Sequence, residues 1–145
     1  MQIEVFDPKF KPSALQLMRS LIPAAFHPSE EALYEKYLES GYHNYFIGML
    51  NEQLIAAFGI QYEDSNAVLT WDMIDTEHQG KGYGRMSVEF RLGLIEASPS
   101  IEKCIVRSWQ GAYKFYEKCG FELTKQKRDH WAPGYHLYEL SLQIR

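Results

Sequence analysis

The stretch from Asp72 to Arg85 leaves the chain few choices. It reads Asp72-Met73-Ile74-Asp75-Thr76-Glu77-His78-Gln79-Gly80-Lys81-Gly82-Tyr83-Gly84-Arg85. A strand enters it, glycines take every second position from 80 to 84, and an amphipathic helix leaves it. Glycines let the backbone approach a ligand closely and adopt conformations that other residues avoid. Amide N–H groups at a helix start, reinforced by the helix dipole, attract anions such as phosphate. Two phosphate-binding patterns fail on single residues. A Walker loop needs Ser or Thr after its Lys, and Gly82 follows Lys81. A dinucleotide fingerprint begun at Gly80 needs Gly or Ala at position 85, where Arg85 stands. A tight strand-to-helix turn without a ligand is the plain alternative.

The 145 residues suit one domain with a real hydrophobic core. Hydrophobic residues make up 46% and charged residues 23%, as in an average soluble protein. Aromatics reach 14%, which leaves some to line a pocket. The formal charge of −4 argues against general nucleic-acid binding, which needs a basic face, and is compatible with an amine-bearing substrate. Cys104 and Cys119 make neither a disulfide framework nor a zinc site, and no His-Glu-x-x-His spacing occurs, so no metal is expected. Met1 to Phe10 carries Glu4 and Asp7 rather than a basic leader, and no run approaches the ~18 apolar residues of a membrane span. The expectation is a cytoplasmic protein with no membrane partner.

Gln2 to Phe6 alternates as a first strand. Ala14, Leu15, Met18, Leu21 and Ile22 recur at helical spacing until Pro23 ends the pattern. Ser29 is placed to cap a second helix carrying Leu33, Tyr37 and Leu38, which Gly41 stops. Two strands, Asn44 to Leu50 and Gln53 to Tyr62, meet at Asn51-Glu52 as a hairpin, and Asp64-Ser65-Asn66 turns into a strand from Ala67 to Ile74. A helix from about Tyr83 to Ala97 follows the glycines, with Met86, Phe90 and Leu94 on its buried side. Ile101 to Arg107 is a strand, Gly111 to Lys118 a short helix stopped by Gly120, and Phe121 to Lys125 and Tyr135 to Leu142 the last strands. The order β, α, α, β, β, β, α, β, α, β, β implies an α/β chain with a mixed sheet and no internal boundary.

Gln79-Gly80-Lys81-Gly82-Tyr83-Gly84 fits the pattern Gln/Arg-x-x-Gly-x-Gly/Ala, and Ala112-Tyr113-Lys114-Phe115-Tyr116-Glu117-Lys118-Cys119-Gly120-Phe121 fits Ala-x-x-Phe/Leu-Tyr-Glu-Lys-x-Gly-Phe. Together and in this order they resemble the two signatures of the GNAT superfamily of acyl-CoA-dependent N-acyltransferases. The resemblance implies a mixed, mostly antiparallel sheet flanked by helices, with one splayed parallel pair of strands. It implies acetyl-CoA as acyl donor. The pantetheine arm would lie along the backbone of Asp72, Met73 and Ile74, and the diphosphate on Gln79, Gly80, Lys81, Gly82, Tyr83, Gly84 and Arg85. The chain departs from the family at Thr76, where Pro is common, and at Trp109, where Asn is common. Gln110 or Ser108 is the candidate replacement for that asparagine's polar contact.

Acyl transfer from a thioester needs a neutral amine, a stabilised oxyanion and a proton for the departing thiolate. Tyr116 lies on the helical face that carries Phe115 and Cys119, and the resemblance aims it at the CoA sulfur; a core tyrosine is the alternative. Asp72 shares a strand face with Val68, Thr70 and Ile74, while Leu69, Trp71 and Met73 take the other. It could deprotonate the ammonium, bind it, or bond a neighbouring loop. His78 reads as solvent-facing, and Cys104 and Cys119 as buried thiols. The fold implied draws its acceptor site from the first two helices and the loop between the last strands, here Phe26, His27, Tyr34, Tyr37, Arg128, Asp129, His130 and Trp131. These could bind a small-molecule or peptide amine by cation–π contact, fill the core, or form a homodimer surface. An acyl-CoA-binding sensor without turnover is the rival function.

Overall fold

The computed structural model describes residues 1–41 and 44–145. Its elements are β1 (Gln2–Val5), α1 (Lys11–Ser20), α2 (Glu30–Glu39), β2 (Tyr45–Leu50), β3 (Gln53–Glu63), β4 (Asn66–Ile74), α3 (Tyr83–Glu96), β5 (Lys103–Ser108), α4 (Tyr113–Lys118), β6 (Glu122–Ala132) and β7 (Tyr135–Gln143), with 3-10 turns at Pro8–Phe10 and Thr76–His78. The strands run in the order β1-β2-β3-β4-β5-β7-β6, and the β4–β5 pair is parallel. The mixed α/β class and the element order are those expected. The chain forms two compact units, Met1–Gly59 with Trp71–Gly84, and Ile60–Thr70 with Arg85–Arg145.

In the first unit β1 pairs antiparallel with β2, from Gln2↔Met49 to Val5↔Phe46, and β2 with β3. Asn51 and Glu52 both take positive φ, 49° and 65°, which matches the twist of a two-residue hairpin. The core joins Phe6, Leu15, Leu17, Met18, Leu21, Tyr34, Leu38, Tyr45, Ile47 and Met73. α2 buries Tyr34 and Leu38 rather than Leu33, which is 59% exposed. Ser29 sits at the start of α2 without capping it. Its hydroxyl bonds the Nδ1 of His27 (2.7 Å), and the Glu30 carboxylate accepts the His27 backbone N–H (2.9 Å). The glutamate therefore closes this helix entry.

In the second unit the parallel register runs from Asn66↔Lys103 to Leu69↔Val106, and β7 pairs antiparallel with both β5 and β6. Two expectations change here. α3 buries Ser87, Val88, Arg91 and Ile95, whereas Met86 and Leu94 are each 40% exposed. Arg91 is fully buried, its Nε donating to the Ser87 carbonyl at 3.0 Å. β6 continues to Ala132, so Arg128 to Trp131 belong to a strand rather than to a loop. Its pairing with β7 shifts between Lys127 and Ala132, where Asp129 has φ 54°.

Candidate active site

The end of β4 breaks its own alternation. Trp71 has φ 49°, a left-handed conformation rare for a bulky residue. Its ring lies 6.3 Å from Phe26, 5.1 Å from Tyr34 and 6.1 Å from Tyr37, centroid to centroid. Tyr45 donates its hydroxyl proton to the Trp71 carbonyl at 2.8 Å. That proton being committed, Tyr34 donates to the Tyr45 oxygen across the 2.8 Å between their hydroxyls. Burial holds the Tyr34 and Tyr45 hydroxyls far above the ordinary phenol range. Tyr37 is pushed up to about 12, first by burial and then by the charge of Asp72. The same carboxylate also acts on Tyr45. Asp72 is half-buried and thus stands among Tyr37, Tyr45 and Trp71. Of the aromatics offered by the first two helices, Tyr34 is core, while Phe26 and Tyr37 keep partly open surfaces beside Trp71.

The glycine loop follows directly. Asp75 N–H donates to the Ile55 carbonyl (2.7 Å), tying the start of the loop to β3. Gln79 bonds back through Nε2 to the Ile74 carbonyl at 3.0 Å. Gly80 and Gly82 take φ 74° and 91°, and a Cβ on either would meet nothing within 4 Å. Their side therefore faces open space, and the backbone conformation itself requires glycine. α3 begins at Tyr83 with no acidic residue in its first turn. The positive end of the helix dipole lies here, so an anionic diphosphate fits this end by charge and by space. Lys81 is exposed. Arg85 reaches along the helix to Glu89 (3.2 Å). His78 does not face solvent as expected: its side chain is 18% exposed and its Nδ1 lies 2.6 Å from Asp75 Oδ2.

Tyr116 is buried in the second unit near the end of α4. The Phe121 N–H donates to the Tyr116 carbonyl (3.1 Å) and the Gly120 N–H to that of Glu117 (3.0 Å), with Gly120 at φ 100°. This is a Schellman ending, and the Phe121 ring packs against Tyr116 at 6.0 Å. Phe115 meets Tyr116 edge-on at 5.0 Å. Tyr113 stacks on Tyr138 of β7 at 4.2 Å, which fixes the helix on its strand. Gln110 is already committed, its Nε2 to the Gly134 carbonyl (2.6 Å) and its Oε1 to the His136 N–H (2.9 Å). Ser108 accepts the Trp131 indole N–H on its carbonyl (3.3 Å). Cys104 is buried, but Cys119 is only half-buried. Loss of hydration pushes the Cys119 thiol up; Arg85 opposes this, and the Glu89 charge adds to it. A neutral thiol of this kind is a poor nucleophile. On β6, His130 is shifted down, first by loss of hydration and then by Lys127, Lys125 and Arg107. Among the described residues no group of three or more His, Cys, Asp or Glu could hold a metal ion. None of the helices there is long and apolar enough to cross a membrane.

The structure thus gathers Asp72, Met73, Ile74 and the loop 79–84 in the first unit, and Tyr116 with its aromatic neighbours in the second. Tyr45 and the Asp75–His78 pair escaped the sequence reading. Tyr45 reaches Trp71 from 26 residues away, a distance no local pattern covers. The i,i+3 spacing of Asp75 and His78 was the available signal for the other.

A search among curated proteins finds no match. Among solved structures, the chain resembles Ard1 from Thermoplasma volcanium with a TM-score of 0.82 at 14% identity, covering 99% of this chain and 97% of that one. It resembles the ribosomal-protein-S18-alanine N-acetyltransferase from Escherichia coli with a TM-score of 0.81 at 18% identity, over 99% and 93%. An aminoglycoside 6'-N-acetyltransferase complexed with coenzyme A gives 0.79 at 15% identity, over 100% and 98%. At these identities the likeness is one of fold. The family profile described as "Acetyltransferase (GNAT) domain" matches residues 41–123, more than half of the chain and inclusive of both signatures. The chain belongs to the GNAT family of acyl-CoA-dependent N-acetyltransferases, whose acyl donor is acetyl-CoA.

Proposed function

We propose that the whole chain, residues 1–145, acts as one cytoplasmic N-acetyltransferase domain that moves an acetyl group to a primary amine by direct attack. The observation that carries this reading is the Asp72 carboxylate, on the strand that leads into the glycine loop, acting on Tyr37. The Tyr37 ring stands 6.1 Å from that of Trp71, which in turn stands 6.3 Å from Phe26. Aromatic faces and a carboxylate are what an ammonium group needs to leave water. Asp72 holds the ammonium and accepts its proton, directly or through a water. The amine nitrogen then bonds to the thioester carbonyl carbon, the C–S bond breaks, Tyr116 gives the sulfur a proton, and the proton that the new amide nitrogen sheds returns through water to the Tyr116 oxygen. Met73 and Ile74 offer backbone groups to the pantetheine arm, and the amides from Gln79 to Gly84 take the diphosphate.

Incubation with acetyl-CoA and a panel of amines, with thiol release followed over time, tests the proposal. Thiol release should rise severalfold with at least one primary amine and stay at background with the matching tertiary amine. If binding of acetyl-CoA is measurable but no amine accelerates thiol release, a binding role without turnover replaces this one.

A further inference from the structure

One pair of titratable side chains is given no step in the proposed acyl transfer. Asp75 and His78 close a short ring at the base of the glycine loop: the His78 N–H donates to the Asp75 carbonyl (2.9 Å), and its Nδ1 lies 2.6 Å from the Asp75 carboxylate. A carboxylate only accepts, so Nδ1 carries the proton. The two side chains are 18% and 22% exposed, which places the bond mostly out of water. The imidazole also stands 6.3 Å from the ring of Tyr83, the first residue of α3. His78 therefore touches the residue that opens the loop and the residue that closes it. Asp75 is itself anchored on β3 through its N–H bond to Ile55. The span between, Gln79 to Gly82, contains two glycines at positive φ with open space beside them.

Those features oppose each other. Glycines give the loop the conformation that exposes its amides, but they also give it the most freedom to lose when a ligand orders it. A strut across the base removes part of that freedom before binding, and preorganisation of this kind appears as affinity. The Asp75 carboxylate is also a negative charge at the entrance of an anion site, and the Nδ1–H bond draws that charge toward the imidazole.

We infer that His78, oriented by Asp75, is a positioning residue for the diphosphate: it holds the Gln79–Gly84 loop in its binding conformation without touching the reacting atoms. The inference rests on the reading that this loop takes the diphosphate of acetyl-CoA. The test compares two ligands, CoA and pantetheine, the second of which lacks the diphosphate and the nucleotide. Binding of each is titrated to the wild-type chain and to His78→Ala and His78→Gln. For His78→Ala the CoA dissociation constant should rise about tenfold, a scale set by lost preorganisation, while pantetheine binding stays within about twofold. His78→Gln, whose side-chain N–H can donate to Asp75, should recover part of the loss. Amide hydrogen exchange over residues 79–84 of the ligand-free protein should speed up in His78→Ala. This readout moves with the loop rather than with the ligand. Unchanged CoA affinity in His78→Ala, or equal weakening of both ligands, overturns the inference. If His78→Ala does not fold, His78→Leu takes its place; it must show the same bias against CoA, and an unbiased result overturns the inference too. A wild-type chain that binds pantetheine as tightly as CoA would instead remove the diphosphate loop itself, and the strut with it.

Discussion

A tyrosine can protonate a thiolate only if it keeps its proton until the C–S bond breaks and is held still while it does so. Tyr116 meets the second condition visibly. Its carbonyl is the acceptor of the Schellman bond from Phe121, and its ring is wedged between Phe115 and Phe121. Tyr116→Phe removes one oxygen and leaves those ring contacts in place. CoA affinity should therefore hold, and the single-turnover rate should fall roughly 10²-fold, the scale of a lost general acid. An unchanged single-turnover rate would return Tyr116 to packing and leave the thiolate to water. Tyr116 and Asp72 can be nominated from the sequence because each sits inside or beside a contiguous motif. His78 departs from expectation for the opposite reason: a polar residue beside glycines reads as solvated, whereas the partner three residues earlier folds back onto it. Tyr45 was out of reach altogether, since its role depends on a carbonyl exposed by the left-handed turn of Trp71.

Elements whose signals are local came through, and those set by neighbours did not. Asn51-Glu52 and Gly120-Phe121 announce their turns by side-chain chemistry within two residues, and both form as read. β6 runs past its predicted end because an edge strand exposed on both faces shows no alternation, and its lysines and arginine look like loop. α3 turns a different face inward from the one its hydrophobic repeat predicts. Met86, Phe90 and Leu94 repeat at helical spacing, yet the buried set Ser87, Arg91 and Ile95 lies one residue along, about 100° around the helix. The pattern rule discards Arg91 as surface, whereas the fold buries it entirely with its Nε on the Ser87 carbonyl. The two faces predict different mutants. Ile95→Ala, at a fully buried site, should lower the unfolding free energy by about 2–4 kcal/mol in urea titration. Leu94→Gln, one residue away and 40% exposed, should stay within about 0.5 kcal/mol. The reverse ranking would restore the face that the hydrophobic repeat suggested.

For the molecule as a whole, the proposed site makes acetyl-CoA a ligand of the native state, because neither the ordered amides of the loop nor the start of α3 exists in an unfolded chain. Binding to the native state alone raises stability by RT ln(1 + [L]/Kd), about 2.7 kcal/mol at a hundredfold excess over Kd. For a chain of this size that corresponds to a rise in Tm of roughly 5–10 °C. The rise should grow with the logarithm of acetyl-CoA concentration and without a plateau, which separates specific binding from a solvent effect. Gly82→Val tests where the gain arises. At φ 91° a β-branched side chain is strained, although a Cβ there meets no atom within 4 Å, so the penalty is conformational rather than steric crowding by the protein. The loop can escape the strain by turning its amides away, at a loss of about 1–3 kcal/mol or less in the ligand-free protein. The variant should therefore melt a few degrees lower on its own and gain nothing from millimolar acetyl-CoA. If Gly82→Val keeps the full ligand-induced rise, the diphosphate is held elsewhere and the open side of the loop serves another purpose. If the wild-type Tm itself ignores acetyl-CoA, the loop no longer explains why glycine stands at both Gly80 and Gly82, and a plain turn between β4 and α3 becomes the better account.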